Sequence, residues 1–364
     1  PGSDQCEQAR RSGSVDAMSS APPPVDQWFR PFGVLRLSLT ARCNLACPYC
    51  CPDSEELPGL MRLDQQVRLV RVACGLGVHT LRLTGGEPLL SDRLLPLLEA
   101  LAAGRSNAAD PLARLQEVAL TTNGVLLTPE KALALRAAGL DRITVSLDAL
   151  EGGVVATMAG LRGGQRAGER LVEQVLGGLS AARRAGFEPA SGGLKLNAVM
   201  RRGLNDSQLL PLAELARNLG VELRLIEYMD VGNRNGWSAD QVLSSEEMIQ
   251  RIGARWPLRP MPRESGATSR RWSYADGRGR IGTIASITEP FCGDCNRLRV
   301  TADGKAYTCL FASKGLDLHP FLHSEQALES ILREIWQQRR DRYSVERQDS
   351  SVSTPHAEMA YLGG

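Results

Sequence analysis

Six short apolar, β-branched runs recur along the chain, at 34–39 (VLRLSL), 81–84 (LRLT), 117–121 (EVALT), 143–148 (ITVSLD), 194–199 (LKLNAV) and 221–229 (VELRLIEYM), and each reads as a strand. A helical pattern follows each of the first five. In DQQVRLVRVACGLG at 64–77 and SQLLPLAELARNLG at 207–220, Leu and Val return at three and four, and a Gly follows the last turn. Strands separated by helices must pair in parallel, because parallel neighbours need a crossover between them. The expected fold is α/β, a partial (βα)6 TIM-type barrel; an open doubly wound sheet is the rival.

A parallel barrel builds its site at the C-terminal ends of its strands, so unusual residues should collect there. The cysteine-rich stretch TARCNLACPYCCPD follows strand one, Gly85-Gly86-Glu87-Pro88 strand two, and Thr121-Thr122-Asn123-Gly124 strand three. Ser146-Leu147-Asp148 ends strand four, Lys195 and Asn197 lie in strand five, and Glu227 with Met229 ends strand six. Polar and sulfur residues on six successive strands are hard to explain as packing.

The 364 residues suffice for about two domains. We divide them into an N-terminal arm over 1–30 read as disordered or processed, a barrel over 31–235, a C-terminal domain over 236–343 and a tail over 344–364. Met18 is read as the natural start. No run approaches the roughly 18 apolar residues of a membrane span, so no membrane partner is expected. The 43 Lys and Arg against 41 Asp and Glu leave +2, which argues against nucleic acid as a partner. An anionic ligand must then be met by a local group of cations.

Six of the nine cysteines fall in two groups, a grouping that suits metal binding better than a secreted disulfide framework. Cys43, Cys47 and Cys50 are spaced C-x3-C-x2-C. A structural zinc site wants four closed ligands, whereas a 4Fe–4S cluster held by three leaves one iron open, and that iron can chelate S-adenosylmethionine. Zinc with Cys51 as fourth ligand is the competing reading. Cys292, Cys295 and Cys309 repeat the pattern as C-x2-C-x13-C, with zinc completed by His319 or His323 as the alternative. Arg297 and Arg299 share one face if their segment is extended, and arginine suits phosphate.

C-x3-C-x2-C after the first strand, with Tyr49 between the last two cysteines and GGEP after the second strand, resembles the radical S-adenosylmethionine superfamily. FCGDCNRLRVTADGK, LTTNG, VSLD, LKLNAVMRRGLND, IEYM and the terminal Gly-Gly are similar, over residues 34–364, to the GTP 3′,8-cyclase family of molybdenum cofactor biosynthesis. The resemblance implies two 4Fe–4S clusters, on Cys43, Cys47 and Cys50 and on Cys292, Cys295 and Cys309, with S-adenosylmethionine and GTP as reactants. It implies cofactor contacts at Tyr49, Gly85, Gly86, Glu87, Ser146 and Met229. Triphosphate and nucleoside contacts are implied at Arg36, Arg82, Thr122, Lys195, Arg297 and Arg299, and a catalytic role for Gly363 and Gly364. Gly85 and Gly86 are expected to let backbone approach the cofactor, and the terminal glycines to thread where a Cβ would clash.

A flavodoxin- or ferredoxin-like reductant, handover to cyclic pyranopterin monophosphate synthase, a monomeric or homodimeric state, and a reducing compartment, cytoplasm or mitochondrial matrix, complete the expectation. Cys51 and Ser91 depart from the family pattern, and residues 151–169 form a longer Gly-rich stretch. Cys6 and Cys74 receive no role. Two other readings stand beside this one: a radical enzyme acting on a peptide, and a zinc-binding interaction or nucleic-acid module.

Overall fold

The structure, a computed structural model, describes residues 22–52, 55–347 and 356–363. Met18, Cys6 and Gly364 lie outside the described residues. All six expected strands form: β1 (Val34–Ser38), β2 (Thr80–Thr84), β3 (Glu117–Thr122), β4 (Arg142–Ser146), β5 (Leu194–Met200) and β6 (Glu222–Glu227). They lie side by side in chain order and are parallel throughout. That order excludes the doubly wound rival, whose strand order reverses within the sheet. Asp148 and Met229 lie beyond the ends of β4 and β6, in the rim loops.

The crossovers are α1 (Leu63–Gly75), α2 (Leu94–Arg105), α3 (Pro129–Ala137), α4 (Gly152–Met158) with α5 (Gly164–Arg184), and α6 (Leu209–Leu219). Their ends follow from local chemistry. Thr128 Oγ1 accepts from Lys131 N at 3.3 Å to cap α3, and α6 stops at Gly220, whose φ of 68° strains any residue with a Cβ. The Gly-rich 151–169 stretch is thus helical, α4 followed by the first turns of α5.

Strand alternation sorts the side chains by face. Leu35, Leu37, Leu81, Leu83, Leu196 and Leu223 are fully buried in the core between the sheet and its helices. Arg36, Arg82, Thr144, Asn197 and Arg224 alternate with such residues and line the interior cavity. The core therefore lies outside the barrel wall, and the inside is polar.

After β6 come α7 (Ser245–Arg255), β7 (Leu258–Pro260), β8 (Arg270–Tyr274), β9 (Arg280–Ile284), β10 (Arg297–Val300), β11 (Lys305–Tyr307), β12 (Leu316–Asp317), α8 (Glu325–Gln338), α9 (Tyr343–Glu346) and α10 (Met359–Leu362). β9 adds in parallel to β6 and β10 in parallel to β1, and antiparallel strands continue both edges into one 12-stranded sheet. Residues 236–343 are therefore built into the barrel sheet rather than set apart from it. Because β9 and β10 belong to opposite halves of the sheet and do not pair with each other, residues 285–296 must run from one to the other. Cys292 and Cys295 lie on that connection.

The 1–30 arm needs a correction over its last residues. Asp26 and Arg30 are buried, and Val25 bridges Pro31 in a small hairpin loop held to the end of α8 by Gln27 N donating to Arg339 O at 3.3 Å. Their polar composition reflects buried ion pairing, not exposure. Among the described residues no helix is long and apolar enough to cross a membrane.

Candidate active site

The loop after β1 is clamped from two sides. Gly86 N donates to Thr40 O and Glu87 N to Arg42 O, each at 2.8 Å, which ties the GGEP turn under the cysteine loop. A Cβ on Gly85 would sit 2.4 Å from Thr40 O, and one on Gly86 2.2 Å from Arg42 O. These glycines are required by that backbone crossing, a reason distinct from the expected approach to a cofactor. On the other side Ala46 N donates to Ala159 O at 3.1 Å, and a Cβ on Gly160 would meet Ala46 O at 2.1 Å. The extended Gly-rich stretch thereby forms the second wall of the loop.

Cys43, Cys47 and Cys50 all line a cavity of about 230 Å³ inside the barrel mouth. Burial pushes the Cys50 thiol well up, and Cys47 and Cys43 push it further. Burial likewise raises Cys43 and Cys47, and Asp148 adds to it at Cys47. Three thiols close enough to repel one another ionise together only when a cationic group binds them. Among the described residues no three His, Cys, Asp or Glu converge as a single metal ion requires. An iron–sulfur cubane fits this donor set, because its thiolates bind separate corners instead of one point.

Around this loop the expected contacts divide. Ser146, Gly86 and Met229 line the cavity. The Tyr49 hydroxyl donates to Asp148 Oδ2 at 2.7 Å, and burial raises the Asp148 carboxyl to about 6. Glu87 is fully buried and absent from the cavity wall: it accepts from Leu89 N at 3.0 Å, Thr122 Oγ1 at 2.7 Å and Asn123 N at 2.8 Å. Its expected contact with a cofactor is corrected to a brace between the β2 and β3 loops, and Thr122, though it lines the cavity, spends its hydroxyl on that brace.

Below the loop lies a row of cations. The parallel register sets Arg299 on β10, Arg36 on β1 and Arg82 on β2 directly beside one another, with Ala119 and then Arg142 continuing the row. Burial, then Arg299, Arg82 and Arg297, hold the Arg36 guanidinium well below its usual range. Burial lowers Arg82 to about 9 and Arg299 to about 10. The buried Nε atoms of Arg82, Arg142 and Arg299 have no hydrogen-bond partner. Crowded, desolvated guanidiniums call for an anion, and their forks suit phosphate oxygens.

Lys195 departs from that row. Like Arg299 it does not line the cavity, but its ammonium lies 3.6 Å from buried Glu222. Burial raises the Glu222 carboxyl, but Arg224 and Lys195 outweigh it and bring it to about 2. The expectation that this lumen cation needs a substrate anion is therefore corrected, since the protein provides one. Arg224, whose Nε donates to the same Glu222 at 2.8 Å, does line the cavity and was not among the expected contacts. Its signal was present in the sequence as a fourth strand cation alternating with Leu.

At the second group, Cys295 Sγ accepts from Arg339 at 3.1 Å. Burial raises that thiol, but Arg297 and Arg339 overcome it and bring it to about 6, while burial pushes Cys309 up to about 12. His319 Nδ1 is held by Asp317 at 3.0 Å. The cavity extends to Phe291, Leu310 and Arg297, chain neighbours of this group. The tail enters from the same mouth: Ala360 N donates to Cys50 O at 3.3 Å, and Gly363 O accepts from Arg36 at 3.1 and 2.6 Å. A Cβ on Gly363 would lie 2.0 Å from Thr84 Oγ1. Gly364 is outside the described residues.

Residues 37–216 match the Radical SAM superfamily and 221–345 the Molybdenum Cofactor Synthesis C family. The fold is also similar to that of Streptococcus suis SuiB bound to S-adenosylmethionine, at TM-score 0.59 and 14% identity, over 84% of this chain and 65% of that one. The barrel and its cysteine loop make this a radical SAM protein. The chain is 91% identical to the GTP 3′,8-cyclase of Synechococcus sp. strain WH7803, over 95% of this chain and 100% of that relative. It is 46% identical to that of Xanthomonas campestris pv. campestris strain B100, over 95% and 98%. It belongs to the GTP 3′,8-cyclase family.

Proposed function

We infer that the protein is a radical SAM GTP 3′,8-cyclase, an enzyme of molybdenum cofactor biosynthesis that converts GTP to 3′,8-cyclo-7,8-dihydro-GTP. The observation that carries this reading is one cavity lined by the first cysteine triad, by Arg36, Arg82 and Arg297, and by Phe291 and Leu310 beside the second triad. Cys43, Cys47 and Cys50 would hold a 4Fe–4S cluster, which with S-adenosylmethionine supplies a 5′-deoxyadenosyl radical. Reactivity comes from that cofactor, so the residues contribute orientation and exclusion of water.

Arg36, Arg82, Arg299 and Arg297 would bind the triphosphate, which fixes the ribose between phosphate and base. Cys292, Cys295 and Cys309 would hold a second 4Fe–4S cluster toward the guanine. Tyr49, Ser146, Gly86 and Met229 would border S-adenosylmethionine, with Asp148 fixing the Tyr49 ring. Gly363 would close the mouth over Arg36. An external reductant is required, and a flavodoxin- or ferredoxin-like protein supplies the right electron; the product would pass to cyclic pyranopterin monophosphate synthase.

The test is anaerobic. With both triads loaded, S-adenosylmethionine, strong reductant and GTP should yield 5′-deoxyadenosine and the cyclised nucleotide, the latter only with GTP. 5′-Deoxyadenosine beside untouched GTP would overturn the substrate, and neither product despite full iron loading would overturn the reaction class.

A further inference from the structure

The second triad is gripped by a buried ionic network that originates in the N-terminal hairpin. Asp26, wholly buried, accepts from Trp28 N and Arg30 N at 2.9 Å each and pairs with the Arg30 side chain. Arg30 in turn donates to Cys292 O at 2.7 Å and Asp341 O at 3.1 Å. Arg339, its side chain 1% exposed and 3.9 Å from Asp26, donates to Cys295 O at 2.7 Å and to Cys295 Sγ at 3.1 Å. Its Nε donates to Asp341 Oδ1 at 3.0 Å, and its guanidinium lies 4.8 Å from the ring centre of buried Trp336. Every side of this cation is thus occupied, and one of its donors points at a sulfur.

We propose that Arg339 is a positioning residue that, through its hydrogen bond to Cys295 Sγ, sets the reduction potential of the iron–sulfur group held by Cys292, Cys295 and Cys309. This rests on the second-cluster reading given above. A buried positive charge that donates to a ligating sulfur withdraws electron density from it and favours the more reduced, more negative state of the group. Among the described residues nothing equivalent acts on the first triad, whose side-chain donors are neutral: Asn123 Nδ2 at 3.7 Å from Cys43 Sγ, and the Tyr49 hydroxyl beside Cys47. One protein would therefore hold two clusters of the same type at different potentials, the second easier to reduce. Asp26 and Trp336 keep the guanidinium in place, so the N-terminal hairpin is part of the setting.

The test uses the full chain carrying Cys43→Ala, Cys47→Ala and Cys50→Ala, so that only the second triad can be loaded. Iron and sulfide per chain are measured first, then the midpoint potential by a redox titration followed by electron paramagnetic resonance. Arg339→Gln should keep iron and sulfide and move the midpoint to lower potential. Arg339→Lys, which keeps the charge but loses the fork, should move it less. An unchanged midpoint in Arg339→Gln with full iron would overturn the inference. Should Arg339→Gln lose its iron, Arg339→Lys carries the test, and a wild-type midpoint there overturns it equally. Iron-free protein in the background before Arg339 is changed would instead overturn the second-cluster reading itself, and this inference with it.

Discussion

The two cysteine triads have the same donor count and different electrostatic settings. The first sits on a loop among neutral and acidic groups, where burial, Asp148 and the other thiols all raise its sulfurs. In the second, Arg297 and Arg339 bring Cys295 to about 6 despite its burial, while burial and Asp341 still raise Cys309. The first loop is held by backbone, through the GGEP turn and Ala159, whereas the second is held by buried side-chain charges. A site whose group must pass an electron to a sulfonium gains from surroundings that disfavour its reduced state, because that state is then the stronger donor. A second group that, as proposed, would only hold the substrate base would have no such requirement.

The sharpest way to break this comparison is to empty each triad separately. Replacing Cys43, Cys47 and Cys50 by Ala should abolish both 5′-deoxyadenosine and the cyclised nucleotide. Replacing Cys292, Cys295 and Cys309 should abolish only the cyclised nucleotide, as chromatography of the products will read out. Wild-type cyclisation by the second variant would end the division of labour. Asp26→Asn comes next, because it leaves two buried guanidiniums short of a carboxylate and should lower stability by about 3–5 kcal/mol in denaturant titrations.

Between the triads, Arg36→Ala or Arg82→Ala should each weaken GTP binding by about 1.5–3 kcal/mol, roughly ten- to a hundredfold, in equilibrium binding assays. Lys195→Met should weaken it less than either, since Glu222 already answers that charge. Deleting Gly363 and Gly364 should reduce turnover while leaving iron content unchanged; full turnover in the truncated protein would remove the tail from the mechanism. The smallest effect concerns Asp148. Its carboxyl stands at about 6 when folded against 3.8 ordinarily, so it favours folding below about pH 4 and loses that contribution as pH rises through about 6. Asp148→Asn should flatten the stability–pH slope across that window.

Much of this site was legible in the chain because its pieces are local. Three thiols in eight residues, a Gly-Gly turn after a strand and arginines alternating with leucines each state their chemistry within a few positions. The misreadings came from distance. Glu87 stood in the right motif, yet its oxygens are taken by the β3 loop; Lys195 looked like its neighbours, yet a strand 27 residues later carries its counter-ion. Asp26 and Arg30 lay in a polar arm whose partners are about 300 residues away at the other end of the chain.

The sequence by itself determined the parallel barrel, the two triads and most of the arginines that face its interior, since periodicity and spacing are properties of the chain. Only the tertiary structure decided which charges answer one another. It set three arginines in one row through strand register, placed Cys292 and Cys295 on the connection over 285–296 that runs from one half of the sheet to the other, and brought the N-terminal hairpin against α8. Register and long-range pairing depend on how elements meet, and a buried charge acquires its partner only when they do.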